Sequence, residues 1–314
     1  WTYMGLSIIT PHYNNLDGLK SIFTCLQTQT SSDWEWVVVD DYSARDIIVD
    51  LKKWFKRLED KNVKLICNTH KTTGSLCRNI GVDASNFNRL VFLDSDDLIS
   101  PNFVANRQLD IKDFAVFGNY QILYQKEVVE IKELVKSWNF LDRFLSAQFL
   151  WQTTCMLWNR DFFISIGQYH PELLRLQDVE LTIRALQKST NYSVVDNSVD
   201  FYYQVKPIRE RKNFVKPVCD SVYLFAYELL NTSSLTKNQL SLISGYYYLC
   251  VKYFERSESL TEVAYVKRNL NMFYKKGYIP KVNYAFGVLA LQLYTYGLFS
   301  GKFFLRVNRY LFKP

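Results

Sequence analysis

The segment Asp94-Ser95-Asp96-Asp97 places three carboxylates within four residues. Carboxylate oxygens are hard ligands. At this density they suit Mg2+ or Mn2+, ions that keep several waters and also take phosphate oxygens. Such an ion would neutralise the charge that builds on a phosphate as a bond to it breaks. A structural alternative stands beside this one: acidic residues also gather in the first turn of a helix, and Leu98-Ile99-Ser100-Pro101 follows the cluster. A second acidic pair, Asp40-Asp41, and a polar run, Pro11-His12-Tyr13-Asn14-Asn15, extend the inventory. Tyr13 offers a ring on which a nucleobase could stack, or a packing surface. Asp41 offers an acceptor for a base N–H, or a turn residue ahead of Ser43. His12, His70 and His170 are scattered, and the six cysteines contain no CxxC pair, so zinc spacing is absent. Most of those cysteines sit among apolar neighbours and read as buried thiols of a reducing compartment.

The elements that must position these groups follow from the apolar pattern. Residues 6–10, 36–40, 63–67 and 90–93 are short apolar runs that predict strands. The second of them is β-branched throughout its middle, which implies burial on both faces. Residues 16–29, 47–58 and 75–84 carry helical periodicity. Strand-helix alternation implies right-handed crossovers and an α/β fold with a mostly parallel sheet flanked by helices. Ligands of such sheets lie beyond the carboxyl ends of the strands. Strand one runs into Pro11, strand two ends at Asp40-Asp41 and strand four runs into Asp94, so the three polar clusters are expected on one edge. Farther on, 115–124 and 127–131 predict a strand hairpin, 134–150 and 177–187 predict helices, and the chain from about 216 is helical. The expected division is a sheet-based domain over 1–215 and a helical region, basic and aromatic, over 216–314. No GxGxxG turn follows strand one and no GxxxxGK[ST] segment occurs, so a nucleotide would be held by side chains and metal rather than by a glycine cradle.

Five segments in order carry a resemblance. They are Leu6-Ser7-Ile8-Ile9-Thr10-Pro11-His12-Tyr13-Asn14, Val37-Val38-Val39-Asp40-Asp41-Tyr42-Ser43, Gly74-Ser75-Leu76-Cys77-Arg78-Asn79-Ile80-Gly81, Leu90-Val91-Phe92-Leu93-Asp94-Ser95-Asp96-Asp97 and Leu176-Gln177-Asp178-Val179-Glu180-Leu181-Thr182-Ile183-Arg184. Over roughly residues 5–205 the chain resembles the family 2 glycosyltransferases of GT-A, Rossmann-like fold. The resemblance implies an inverting enzyme that uses a nucleotide sugar, a UDP-sugar, with Mg2+ or Mn2+. It also implies an acceptor that is a glycan or lipid-linked glycan of bacterial-type surface polysaccharide assembly. Residue by residue, it implies that Pro11, Tyr13 and Asp41 hold the base and that Arg78 lies near the base or diphosphate. Asp94 would face the ribose or sugar, Asp96 would bind the metal with help from Asp97, and Asp178 would be the general base.

Three departures accompany the resemblance. Gln177 stands where the family usually has Glu beside the base. The Tyr-rich run Tyr202-Tyr203-Gln204-Val205-Lys206 lacks the His that many members place there as a further metal ligand. Either Lys206 meets the diphosphate directly or the metal is held more loosely. The QxxRW segment of processive synthases is absent, which implies one sugar per encounter. Two other readings stay open beside the enzyme: a catalytically silent relative that binds nucleotide or glycan, and a nucleotidyltransferase. The last usually needs a glycine- and basic-rich triphosphate loop, which residues 11–19 do not supply.

The net charge of +7 is unevenly spread. Residues 231–314 hold 12 Lys and Arg against 3 Asp and Glu, whereas the rest of the chain is slightly acidic. A uniformly basic chain would suggest nucleic acid; this pattern argues against it and for one end touching an anionic surface. Lys302, Arg306, Arg309 and Lys313 fall on one helical stripe, with aromatic and aliphatic residues between them. Residues 282–314 are thus expected to meet an anionic membrane or to pack an aromatic helix on the body. The expected location is cytoplasmic, peripheral on the inner face of the cytoplasmic membrane.

Overall fold

The computed structural model describes residues 5–58, 61–196, 198–205, 214–230, 234–255 and 260–313. The expectation placed on Lys206 lies outside the described residues. The first hundred residues alternate as the apolar pattern predicts: β1 (Leu6–His12), α1 (Leu16–Gln27), β2 (Trp34–Asp40), α2 (Arg45–Leu58), β3 (Val63–Cys67), α3 (Gly74–Ala84) and β4 (Arg89–Phe92). Every residue of β2 is buried, as its β-branched run requires of a strand covered on both faces. Asn15 caps α1 by accepting the Gly18 N–H, and Thr73 caps α3 by accepting the Leu76 N–H. Each cap starts its helix just beyond the polar segment that follows a strand. From there α1 turns Leu19, Ile22, Phe23 and Leu26 into the core at helical spacing.

The chain continues through β5 (Leu98–Ile99), α4 (Phe103–Asn106), β6 (Phe114–Val116), β7 (Tyr120–Tyr124), β8 (Glu127–Lys132), α5 (Phe140–Leu145), β9 (Met156–Asn159), α6 (Arg160–Ser165), α7 (Gln177–Lys188), β10 (Ser193–Val194) and β11 (Phe201–Val205). The large sheet has the order β10-β6-β9-β4-β1-β2-β3. Within it β1 runs parallel to β2 and β4, and β2 to β3, while β9 is antiparallel to β4 and β6. This is the mostly parallel α/β architecture expected. Its register sets His12 beside Asp40, Asp40 beside Cys67, and Ile9 beside Phe92. The residues just beyond those pairs therefore share one edge. A smaller sheet, β5-β11-β7-β8, contains the predicted hairpin as β7 and β8 and pairs β5 antiparallel to β11, but the strand expected over 115–124 is broken, its first part forming β6 beside β9 in the large sheet.

The helix expected over 134–150 is shorter, and α5 alone forms there. Asn139 accepts the Asp142 N–H and so starts the helix late. Ala147 adopts a left-handed φ of 57°, which a right-handed helix cannot continue.

The chain forms two compact units. The first comprises Trp1–Ser137, Leu150–Glu172 and Arg184–Pro207 and holds both sheets. The second comprises Trp138–Phe149, Leu173–Ile183 and Ile208–Pro314. Its helices are α5, the first half of α7, α8 (Val215–Leu224), α9 (Lys237–Leu242), α10 (Ser244–Lys252), α11 (Leu260–Lys275), α12 (Lys281–Thr295) and α13 (Gly301–Phe312). Rings dominate its core: Phe225 lies 4.6 Å from Tyr246, Tyr247 lies 4.6 Å from Phe312, and Tyr294 stacks on Phe304 at 4.3 Å. Among the described residues no helix is long and apolar enough to cross a membrane. All six cysteines are free thiols, four of them buried.

Candidate functional site

Asp94, Ser95, Asp96 and Asp97 form the bend between β4 and β5. A strand follows them, and the next helix, α4, has Asn102 at its cap. The reading of these carboxylates as a helix cap is thereby removed. Asp97 is buried, and its Oδ1 accepts the backbone N–H of Gln204 at 2.9 Å. The Gln204 side chain donates to the Asp96 carbonyl at 2.6 Å. So the residue of β11 in the Tyr-rich run that lacks a His is a brace for the acidic bend. Two more ties hold the bend. Asn15 Nδ2 donates to the Ser95 carbonyl at 2.8 Å. A Cβ on Gly18 would lie 1.9 Å from that same carbonyl oxygen, so only glycine lets α1 approach the bend this closely. Arg78, buried on α3, donates from Nη2 to Asp94 Oδ1 at 2.5 Å and lies 5.2 Å from the Tyr169 ring centroid.

Tyr13 and Asp41 stand on the neighbouring strand ends and are joined by Lys71. Tyr13 is 51% exposed, so its ring is not a packing surface. The Lys71 ammonium lies 3.2 Å from the centre of that ring and 2.8 Å from Asp41 Oδ2. Asp41 is buried, and its Oδ1 accepts the Thr72 N–H at 2.7 Å and the Thr72 hydroxyl at 2.6 Å. Burial alone would push the Asp41 carboxyl up. The hydrogen bonds from Lys71 and Thr72 outweigh it and hold the group below its ordinary value of 3.8. Burial pushes the nearby Cys77 thiol up to about 11, so no thiolate competes at this edge. Pro11 is half-buried in β1, two residues before Tyr13.

A buried pair fixes the two loops that carry these groups. His12 Nε2 accepts the Asn15 N–H at 3.0 Å, so Nδ1 carries the proton toward Asp40 Oδ1, 2.7 Å away. Asp40 also accepts the Ser43 hydroxyl at 2.5 Å and the Ser43 N–H at 3.0 Å. The histidine is thereby a brace with both ring nitrogens occupied. Asn14 and Tyr42 adopt left-handed φ values of 52° and 60°. Asn14 pays for its conformation by bonding across: its N–H donates to Ser43 Oγ at 2.8 Å and its Oδ1 accepts the Ala44 N–H at 2.8 Å. For Asp40, burial raises the carboxyl and the bonds from His12 and Ser43 lower it further, leaving it below 3.8. A carboxyl depressed in the folded state stabilises above its unfolded value and loses that contribution as pH falls through its folded value. Unfolding free energy is therefore expected to fall with acidification below 3.8. The slope should be shallower in Asp40→Asn, as read by urea titrations at several pH values; equal slopes would remove Asp40 from the linkage.

Residues 7–155 match the model of the family described as glycosyl transferase family 2. Those residues are a family 2 glycosyltransferase domain. An uncharacterized glycosyltransferase of Haemophilus influenzae is 26% identical over 194 residues, 58% of this chain and 62% of that protein. The UDP-Glc:alpha-D-GlcNAc-diphosphoundecaprenol beta-1,3-glucosyltransferase WfgD of Escherichia coli is 29% identical over 133 residues, 40% of this chain and 49% of that protein. The chain thus spans about half to three-fifths of the length of these curated relatives. In structure it resembles S. aureus TarS 1–349 in complex with UDP-GlcNAc, with a TM-score of 0.61 at 16% identity over 98% of this chain and 91% of that one. That likeness is one of fold, and the fold is GT-A.

The family 2 domain contains all the groups described so far except Gln204 and Tyr169, which lie beyond residue 155. Among the described residues, no group of three His, Cys, Asp or Glu side chains is placed to enclose a metal ion. The bend still fits Mg2+ or Mn2+ chemically. Such ions are commonly held by one or two carboxylates together with phosphate oxygens and water, and half-buried Asp96 and its neighbour Asp97 are carboxylates of that kind.

Asp178 also lies beyond the family 2 match and belongs to the second unit. It is half-buried in the first turn of α7. Leu176, just before that helix, holds a left-handed φ of 63° while its carbonyl accepts the Glu180 N–H at 2.8 Å. A β- or γ-branched side chain in this region is strained, and such strain concentrates where a loop must aim a functional group. Within the same unit, burial and then the Asp178 charge push the Tyr246 hydroxyl well above its ordinary 10. That hydroxyl donates to the Phe144 carbonyl at 2.5 Å. Lys71, Thr72 and Gln204 were not legible as site residues: each acts through a contact that only the folded register creates.

Proposed function

We propose that this protein is an inverting glycosyltransferase that moves a sugar from a UDP-sugar to a glycan or lipid-linked glycan acceptor, in the assembly of a bacterial surface polysaccharide. One observation carries the reading. A family 2 domain brings an exposed ring, a buried carboxylate beside it and an arginine-paired acidic bend to one sheet edge. That set suits a nucleotide diphosphate without any glycine cradle. The names of WfgD and of the TarS complex, which specify uridine donors, support the choice of base, and the name of WfgD supports a lipid-linked acceptor.

In this reading Pro11 and Tyr13 hold the base and Asp41 accepts its imide N–H. Arg78 lies near the diphosphate and keeps Asp94 aimed at the ribose or sugar. Asp96, helped by Asp97, would hold Mg2+ or Mn2+, which when bound supplies positive charge to the leaving diphosphate. Asp178 accepts the proton of the acceptor hydroxyl as that oxygen bonds to the anomeric carbon. The bond from that carbon to the diphosphate breaks, and its electron pair leaves with the diphosphate. Attack from the opposite face inverts the configuration, and holding both partners in line supplies much of the rate. Residues 282–314 would meet an anionic membrane surface, which places the enzyme peripherally on the inner face of the cytoplasmic membrane.

A base stacking on the face of Tyr13 that Lys71 covers must displace the ammonium. Removing the ammonium in Lys71→Met is therefore expected to tighten UDP binding by about two- to five-fold, the worth of an exposed cation–π contact. Calorimetric titration reads this, and a weaker complex would mean that Lys71 contacts the nucleotide itself.

The test of function is a panel of nucleotide sugars with Mg2+, Mn2+ or EDTA, read by nucleoside diphosphate release with and without glycan acceptors. Metal-dependent release from a UDP-sugar is expected. Binding without release for every donor and acceptor would favour the silent relative. Neither binding nor release would sink the reading altogether.

A further inference from the structure

The α12–α13 hairpin turns an apolar face to solvent. Contacts fix the roll of α12. Tyr284 stacks on Tyr274 of α11 at 4.4 Å, Asn283 donates to the Leu311 carbonyl of α13 at 2.6 Å, and Tyr294 stacks on Phe304 of α13. A Cβ on Gly287 would lie 2.8 Å from the Phe312 ring, so the glycine lets the two helices close. With α11 and α13 on those sides, a third side of α12 is uncovered. Val282, Phe286 and Leu289 occupy it at i, i+4 and i+7, between 48% and 62% exposed, and Tyr296, the cap residue just past the helix, continues the stripe at 80% exposed. Apolar residues at that spacing form one stripe.

The roll of α13 is fixed as well. Phe304, Asn308 and Phe312 are buried, Phe312 against Tyr247 and Phe304 against Phe254. The contacts of Asn283 with Leu311 and of Tyr294 with Phe304 make the two helices antiparallel. Stepping about 100° per residue from these contacts brings Phe303 and Tyr310 to the same side of the hairpin as the α12 stripe. Tyr310 is 90% exposed there. The same stepping sets Lys302, Arg306, Arg309 and Lys313 along the outer edge, all exposed. From 281 to 313 the chain has five basic residues and no acidic one.

We propose that this face seats in the headgroup–acyl boundary of an anionic bilayer. The α12 stripe and the α13 aromatics enter the boundary, and the basic edge lies among the lipid phosphates. An exposed apolar stripe rimmed by polar residues suits an interaction surface. Aromatic rings with a flanking row of cations suit a negatively charged interface. A second copy would add a further row of cations and no acidic residue to the same interface, so charge complementarity favours lipid. This inference rests on the membrane reading of 282–314 and narrows it from a basic helix to one face of a hairpin; it is independent of the transfer chemistry.

The test uses the full chain in flotation with vesicles of phosphatidylcholine alone or with about one-third phosphatidylglycerol, at physiological salt. Binding is expected to the anionic vesicles only. Arg306→Gln with Arg309→Gln should lower partition by about 30-fold, and Phe286→Ser with Tyr310→Ser by at least about 10-fold. All four side chains are exposed, so melting midpoints should match the parent. In a Phe286→Trp variant, brominated lipid should quench the new emission. Binding that survives the Phe286 and Tyr310 changes, with no quenching, overturns the face but leaves a membrane-binding tail. No binding to anionic vesicles overturns both. A concentration-dependent dimer abolished by Phe286→Ser assigns the face to a second copy and also overturns the proposal.

Discussion

The Asp178→Asn protein is expected to bind donor nucleotide as the parent does and to transfer sugar about 100- to 10,000-fold more slowly, the usual worth of a positioned general base. Asn has the shape of Asp but no basic oxygen, so the acceptor hydroxyl would keep its proton through the attack. The backbone that aims this residue is undisturbed by the change, because Leu176 and the first turn of α7 are held by the main-chain bond to Glu180. Binding and rate should therefore separate. Calorimetry with a nucleoside diphosphate reads the first, and product formation with a working acceptor reads the second. Parent-like transfer would mean that another group takes the proton, and a parallel loss of binding would mean that Asp178 shapes the donor site instead.

The second large effect concerns stability. Arg107 is fully buried, with its guanidinium 3.4 Å from the Phe103 ring centre and 4.4 Å from that of Phe117. Its Nη1 and Nη2 donate to Asp200 at 2.8 and 3.3 Å, and Asn106 donates to the same carboxylate at 2.8 Å. Removing one member of a buried ion pair strands the other charge, at a cost of about 3–5 kcal/mol. Asp200→Ala is expected to lose that much in equilibrium urea unfolding, or roughly 10 °C in melting midpoint. A loss below about 1 kcal/mol would show that water reaches Arg107 once the carboxylate is gone. Asp200 immediately precedes β11, so donor affinity should fall with stability. Its carbonyl accepts the Ser100 N–H beside β5, and β11 carries the Gln204 brace.

The parallel half of the sheet was legible because its strands are short apolar runs bounded by helical periodicity, a local signal. The position of Tyr13, Asp41 and Asp94 at one edge followed from their place at the carboxyl ends of parallel strands. What local pattern did not carry was anything that depends on register between distant segments. The pairing of His12 with Asp40 needs β1 and β2 aligned residue for residue. The reach of Lys71 to both Tyr13 and Asp41 comes from a loop with no period to read. The short strand after the acidic bend looked like a helix start because acidic residues serve both settings, and only pairing with β11 distinguishes them. The shortness of α5 hinges on a single left-handed residue, Ala147, which no apolar spacing announces. That residues 138–149 and 173–183 pack with the C-terminal helices is likewise a property of tertiary contacts.

The brace on Asp97 has a consequence for the order in which the molecule is made. Its donor, the Gln204 N–H, lies 107 residues further along the chain. A ribosome would release the acidic bend long before the strand that ties it down, and β4 cannot pair with β1 until an intervening stretch of more than seventy residues has been looped out. Closing such loops is slow relative to forming the helices within them. The Asp97 brace can therefore form only once residue 204 has left the ribosome. The bend is thus completed by β11 rather than by the segment that carries the motif.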